Sequence, residues 1–151
     1  MSYRRKFRVP KLKLRRTFAD SQKPVIEHYL SRVLRCTEQY RKIASPENLH
    51  NLRIALRRLR YVLELYSAAM KPARFAEIYE TAVGLQNTLG ERRDIDVLYA
   101  RLLSIYRAAN AELPSLIATD LEQGKAQLDA QIEKALTEFV QLKQIRKLVG
   151  D

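Results

Sequence analysis

Apolar residues recur along most of this chain at three- and four-residue steps, the spacing that places side chains on one face of an α-helix. From Pro24 onward, Ile26, Tyr29, Leu30, Val33, Leu34, Thr37 and Tyr40 form one such seam, which predicts a first helix to about Ala44. Pro24 suits its first turn, where a missing N–H costs nothing. The opposite face carries His28, Arg32, Arg35, Gln39 and Lys42. Ser45-Pro46-Glu47 is a start signal, with Ser45 as cap and Pro46 at the first helical position. The second helix is expected to run to about Met70 and to break at Lys71-Pro72.

A third helix is predicted through Phe75, Ile78, Tyr79, Ala82, Leu85 and Leu89, ending at Gly90. A fourth is expected to start near Asp94 and to use Val97, Leu98, Leu102 and Ile105. After Leu113-Pro114-Ser115 a long last helix carries Leu116, Ile117, Leu121, Leu128, Ile132, Leu136 and Phe139. Short breaks between helices and no strand-like stretch outside the N-terminus predict an all-α protein, an antiparallel bundle of four to five helices. Residues 1–20 read as a basic N-terminal arm and 21–151 as the bundle. Loose alternation in the arm predicts an extended segment with Phe7, Val9, Leu12 and Leu14 on a neighbouring surface, or a basic tail without fixed structure.

Length changes this picture little: 151 residues suit one domain with a real core. Charge changes it more. The net charge of +11 implies an anionic partner. Residues 1–16 hold eight Lys or Arg and no acid, so the other 135 residues, with 20 bases and 17 acids, are close to balance. Any basic site in the bundle must therefore come from local sorting. The single Cys36 excludes an intramolecular disulfide, fits a reducing cytoplasm and suits a buried structural thiol. No apolar run has transmembrane length, and the basic N-terminus lacks the apolar core of a signal peptide, so no membrane is expected.

That sorting is visible in the second helix, LHNLRIALRRLRYVLEL from Leu49 to Leu65. At about 100° per residue, with His50 at zero, Arg57, Glu64, Arg53 and Arg60 fall between about 340° and 280°. Leu52, Leu56, Leu59 and Leu63 cluster near 200°, a core seam, while Tyr61, Ile54 and Leu65 lie at about 20–60°. Arg58 stands apart near 80°. The cationic stripe thus has apolar residues on both sides, which suits a groove wall better than a solvated face. The cations rise about 5 Å per turn and repel one another. Glu64 offsets one of them; acids from neighbouring helices or an external polyanion must offset the rest. Arginine forks match phosphate oxygens, and His50 beside them can donate to phosphate.

Leu89-Gly90-Glu91-Arg92-Arg93-Asp94-Ile95-Asp96-Val97 is the second cluster. Gly90 reads as a helix end and Asp94 and Asp96 as starts of the next helix, which leaves Arg93 unfavourably close to a positive helix terminus unless an anion is near. Two histidines, no paired nucleophile and no Gly-rich phosphate loop give no support for catalysis, metal binding or a cofactor. A phosphohydrolase using His50 with Asp94 or Asp96 lacks a metal-ligand set.

Together these two clusters resemble the CHAD family, the conserved histidine α-helical domains. His-x-x-Arg-x-x-x-Arg-Arg-x-Arg is matched by His50, Arg53, Arg57, Arg58 and Arg60, and Leu-Gly-x-x-Arg-Asp-x-Asp-Val by Leu89, Gly90, Arg93, Asp94, Asp96 and Val97. The resemblance covers about residues 22–148. It implies a non-catalytic module that binds inorganic polyphosphate or a similar polyanion along a cationic groove, through His50, Arg53, Arg57, Arg58, Arg60 and Arg93. Arg32, Arg35 and Lys42 on the first helix extend that set by their spacing. A nucleic acid held by the basic arm is the alternative partner. The expected place is the cytoplasm, in association with polyphosphate granules. The family's two related helical halves are here one, so a homodimer is expected, sealed by Ile54, Tyr61 and Leu65.

Overall fold

A computed structural model of the chain describes Val9, residues 17–142 and Ile145. Among them the secondary structure is helical, with no strand. The first helix, α1, spans Phe18–Lys42. It starts earlier than Pro24 because Thr17 caps it: the Thr17 Oγ1 accepts from the Asp20 N–H at 3.1 Å and its hydroxyl donates to the Asp20 carboxylate at 2.6 Å. Three residues read as arm are therefore helical, and Pro24 sits inside the helix rather than at its first turn. Of the apolar arm residues named above, Val9 packs half-buried against the core; Phe7, Leu12 and Leu14 lie outside the described residues.

The second helix, α2, spans Pro46–Leu65 with Ser45 as cap and Pro46 at the start, as the sequence predicts. The Ser45 Oγ accepts from the Asn48 N–H at 3.2 Å, and the Asn48 side chain donates to the Ile43 carbonyl at 2.8 Å, which closes the turn from α1. The helix stops short of Met70 in a 3-10 turn, Ser67–Ala69, and Pro72 opens the next element.

That next element corrects the sequence reading. The expected third and fourth helices are one continuous helix, α3, spanning Pro72–Ala108, about 55 Å at 1.5 Å per residue. Gly90 lies in its middle and ends nothing. A glycine inside a helix costs only about 1 kcal/mol relative to alanine, which packing on both flanks offsets. Asp94 and Asp96 are consequently interior residues rather than caps, and Arg93 meets no helix terminus. The chain turns through Asn110, whose φ of 50° is left-handed, into α4, Ser115–Gln141.

Successive helices pack side by side, and α1 is tied back to α4 by Tyr40 and Arg41, so the four helices close a bundle. The α2 seam of Leu52, Leu56, Leu59 and Leu63 is wholly buried, as predicted, against Leu30 and Val33 of α1, Ile78, Leu85 and Leu89 of α3, and Ile132, Leu136 and Phe139 of α4. This core takes only the first half of α3 and the second half of α4. Val97, Leu98 and Ile105, apolar positions of the expected fourth helix, are exposed.

Candidate functional site: a cationic cleft beside α2

With the leucine seam inward, the cations of α2 emerge on its two outer flanks. Arg53 faces α3, where its Nη2 lies 3.9 Å from the position a Cβ on Gly90 would occupy. Arg60 Nε lies 3.2 Å from the Glu64 carboxylate on the same helix, which also accepts from the Tyr79 hydroxyl at 2.7 Å. That bond is the first cause holding the Tyr79 phenol above its ordinary pKa. Arg60 is thus neutralised within the chain.

On the other flank, His50, Arg57 and Arg58 reach a cleft between α1 and α2 of about 440 Å³. Asn51, Ile54 and Ala55 of α2 and Arg32, Cys36 and Gln39 of α1 complete its lining, which contains no acid. Arg32, Cys36 and Gln39 follow at i, i+4 and i+7, so one face of α1 supplies its whole wall. Of the three cations extended onto α1 by spacing, Arg32 lines the cleft and Arg35 and Lys42 do not. Arg35 still acts at short range. His28 is held below its usual pKa by burial first, then by Arg32 and Arg35. Burial pushes the Cys36 thiol up, against the opposing pull of the same two guanidinium groups. Arg93, half-buried on α3, lies outside the cleft.

Among the described residues, acids of other helices pair with Arg41, through Glu133 at 2.6 Å, with Arg92, through Asp129 at 2.8 Å, and with Lys125, through Asp96 at 3.9 Å. His50, Arg53, Arg57, Arg32, Arg35, Lys42 and Arg93 have no acid partner among those residues. The Arg53 Nε is moreover buried without a hydrogen-bond partner, an arrangement that costs free energy.

The second cluster does something the sequence reading missed. Arg92 Nη1 meets Asp96 at 2.6 Å while its Nε donates to Asp129, and Asp129 also accepts from the Tyr40 hydroxyl at 3.1 Å. Lys125 lies 3.9 Å from Asp96, 2.9 Å from Glu122 and over the Tyr99 ring. Burial lowers the Arg92 pKa, but its bonds to Asp96 and Asp129 outweigh that and raise it. Burial and the Asp129 charge push the Tyr40 hydroxyl well up. The network fixes α1, α3 and α4 at one level. Its signal in the sequence is the i, i+4 pair Arg92 and Asp96; Tyr40 and Asp129 join it only through the fold.

No group of three or more His, Cys, Asp or Glu among the described residues could hold a metal ion, and none of their helices is long and apolar enough to cross a membrane. The fold and the cleft define a helical module with a charged, acid-free cleft. The chain belongs to the CHAD domain family, whose model matches residues 24–149, and CHAD domains are associated with polyphosphate-related proteins. No curated protein and no solved structure matches it.

Proposed function

We propose that the protein binds inorganic polyphosphate without turning it over, through His50, Arg57, Arg58 and Arg32 in the cleft and Arg53 on the adjoining flank. The observation that carries this reading is the acid-free lining of a cleft that gathers cations from two helices. A polyphosphate chain bears about one charge per phosphate. It can exchange its small counterions for a row of guanidinium groups, as nucleic acids do. Arg60 contributes less than its place in the motif implies, because Glu64 already neutralises it. Arg93 adds to the field from α3, and Arg35 and Lys42 from α1. Among the described residues there is no metal-ligating cluster and the cleft lining holds no acid to activate water, which favours binding over hydrolysis. The working form is a pair of chains in the cytoplasm, at polyphosphate granules.

Competition binding of polyphosphate against single- and double-stranded nucleic acid, at two salt concentrations, tests the proposal. Polyphosphate is expected to win at both, and an Arg53→Ala/Arg57→Ala substitution to weaken it by about 100-fold, at about 1.4 kcal/mol per residue. If that variant binds as before while deletion of residues 1–16 abolishes binding, the arm is the site. Release of phosphate from polyphosphate with added magnesium would overturn the non-catalytic part.

A further inference from the structure

Among the described residues, the far half of the α3–α4 hairpin covers no core. No described residue of α3 beyond Leu89, and none of α4 before Ile132, is buried. The reason is length. Arg53 beside Gly90, and Tyr79 bonded to Glu64, set the antiparallel register of α2 on α3. By that register Pro46, the first residue of α2, lies level with about Val97, so α3 continues for about 16 Å beyond it. On α4, the described hydrogen bonds and ion pairs from α1 reach only Asp129 and residues after it.

What projects is a rigid two-helix arm rather than a frayed end. Ile95, Tyr99, Leu102 and Tyr106 are half-buried toward α4, and the Arg92 network clamps the base. The outer face is different: Val97, Arg101, Ile105 and Leu98 fall within about 100° of arc, all of them exposed. At a free surface that apolar area would be a liability.

The rest of the chain offers its complement. The large hydrophobics that are exposed among the described residues divide evenly: Val97, Leu98, Ile105 and Leu116 on the projecting hairpin, and Phe18, Ile43, Tyr61 and Leu65 on or beside α1 and α2. Charge divides the same way. Residues 91–130 hold seven acids and five bases, net −2; residues 18–65 hold nine bases and five acids, net +4. An apolar, acidic projection and an apolar, basic layer on one molecule are self-complementary. Two copies related by a two-fold axis satisfy both surfaces at once, without leaving an open end.

We propose that the projecting α3–α4 hairpin docks on the outer face of α2 in a second copy of the chain, with Leu98 and Ile105 against the partner's Tyr61 and Leu65, reciprocally. The docking rests on the two-copy form of the proposed function and adds the other half of its interface. It also places the partner's hairpin along the apolar border of the cationic stripe, so each cleft is walled partly by the other chain.

The test uses the full chain without polyphosphate, so its result stands whatever the cleft binds. Sedimentation velocity at micromolar concentration is expected to show a dimer, and Leu98→Glu/Ile105→Glu to weaken it about 10⁴-fold, roughly tenfold for each of the four exposed apolar side chains lost in the pair. Circular dichroism should find the helical content of that variant unchanged, since both positions are exposed. Independently, in a Cys36→Ser background, chains carrying only Tyr61→Cys are mixed with chains carrying only Ile105→Cys and oxidised. A disulfide-linked pair in the mixture that exceeds either chain alone supports the docking. A wild-type monomer, a dimer insensitive to the double substitution, or an absent mixed disulfide overturns it.

Discussion

Arg53 gives the sharpest prediction, because binding and stability should respond to its removal in opposite directions. Its Nε is buried with no hydrogen-bond partner, and a buried donor left unsatisfied costs about 1–3 kcal/mol. Arg57 follows at i+4 with the same charge, which adds about 0.2–0.5 kcal/mol of repulsion. Arg53→Met keeps the aliphatic stem beside Gly90 and removes both penalties. The free protein is therefore expected to gain about 1–2 kcal/mol, a Tm rise of about 2–8 °C for a chain of this size. Polyphosphate should then bind at least about tenfold more weakly, since one charge-assisted contact of about 1.5–3 kcal/mol is gone. Calorimetric melting of the free chain and titration with polyphosphate at low salt read the two effects separately. A lower Tm with unchanged affinity would mean that Arg53 is a structural residue, and the argument from unpaired cations would fail.

The continuity of α3 makes Gly90→Ala stabilising by about 0.5–1 kcal/mol, because the new Cβ meets only Arg53 Nη2 at 3.9 Å. Gly84→Ala, with nothing within 4 Å, is its control, and urea melts of both decide: destabilisation at Gly90 alone would mean a helix end there after all. Arg92→Met strands Asp96, only 11% exposed, with Lys125 at 3.9 Å as its remaining cation, and should cost about 2–4 kcal/mol; a melt within about 0.5 kcal/mol of wild type would show the network to be idle. Tyr40 has a folded pKa raised above its unfolded value, so its contribution is fully present below about pH 10 and is lost as pH rises beyond that. Melting from pH 8 to 11 should therefore fall less steeply for Tyr40→Phe than for wild type, and equal slopes would refute the assignment.

Periodicity recovers the helices and the core of this chain because each buried face is amphipathic on its own. The leucine seam of α2 and the Ser45 cap follow from residues within one helix, and both stand as expected. The error at Gly90 has the opposite origin. Whether a mid-pattern glycine ends a helix depends on what flanks it, and here α2 and α4 hold the chain helical on both sides. The angular map of α2 likewise separates seam from stripe, yet it cannot say that Arg60 keeps its charge at home with Glu64 while Arg57 faces a cleft. The wall of that cleft comes from α1, whose distance from α2 no spacing within either helix contains. Lys42 and Arg35 share the polar face of α1 with Arg32 but lie outside the cleft lining.

The two motifs that mark the family thus carry different physical duties. In the first, His50, Arg53 and Arg57 have no acid partner among the described residues and turn to the cleft or to the flank of α3, while Arg60 pairs with Glu64 along its own helix. An arrangement selected for stability alone would run the other way, since unpaired like charges at helical spacing repel and a partly buried guanidinium gains from a carboxylate. Acids are not scarce nearby: Asp96 and Asp129 both converge on Arg92 in the second motif's network. That network uses them to tie α1, α3 and α4 together at the base of the projecting hairpin. Moving one acid to the cleft would offset one of its cations and weaken the Arg92 network together. The separation of Arg60 from the unpaired His50, Arg53 and Arg57 is therefore a second argument, beside the acid-free cleft, for the proposed polyanion at the first motif.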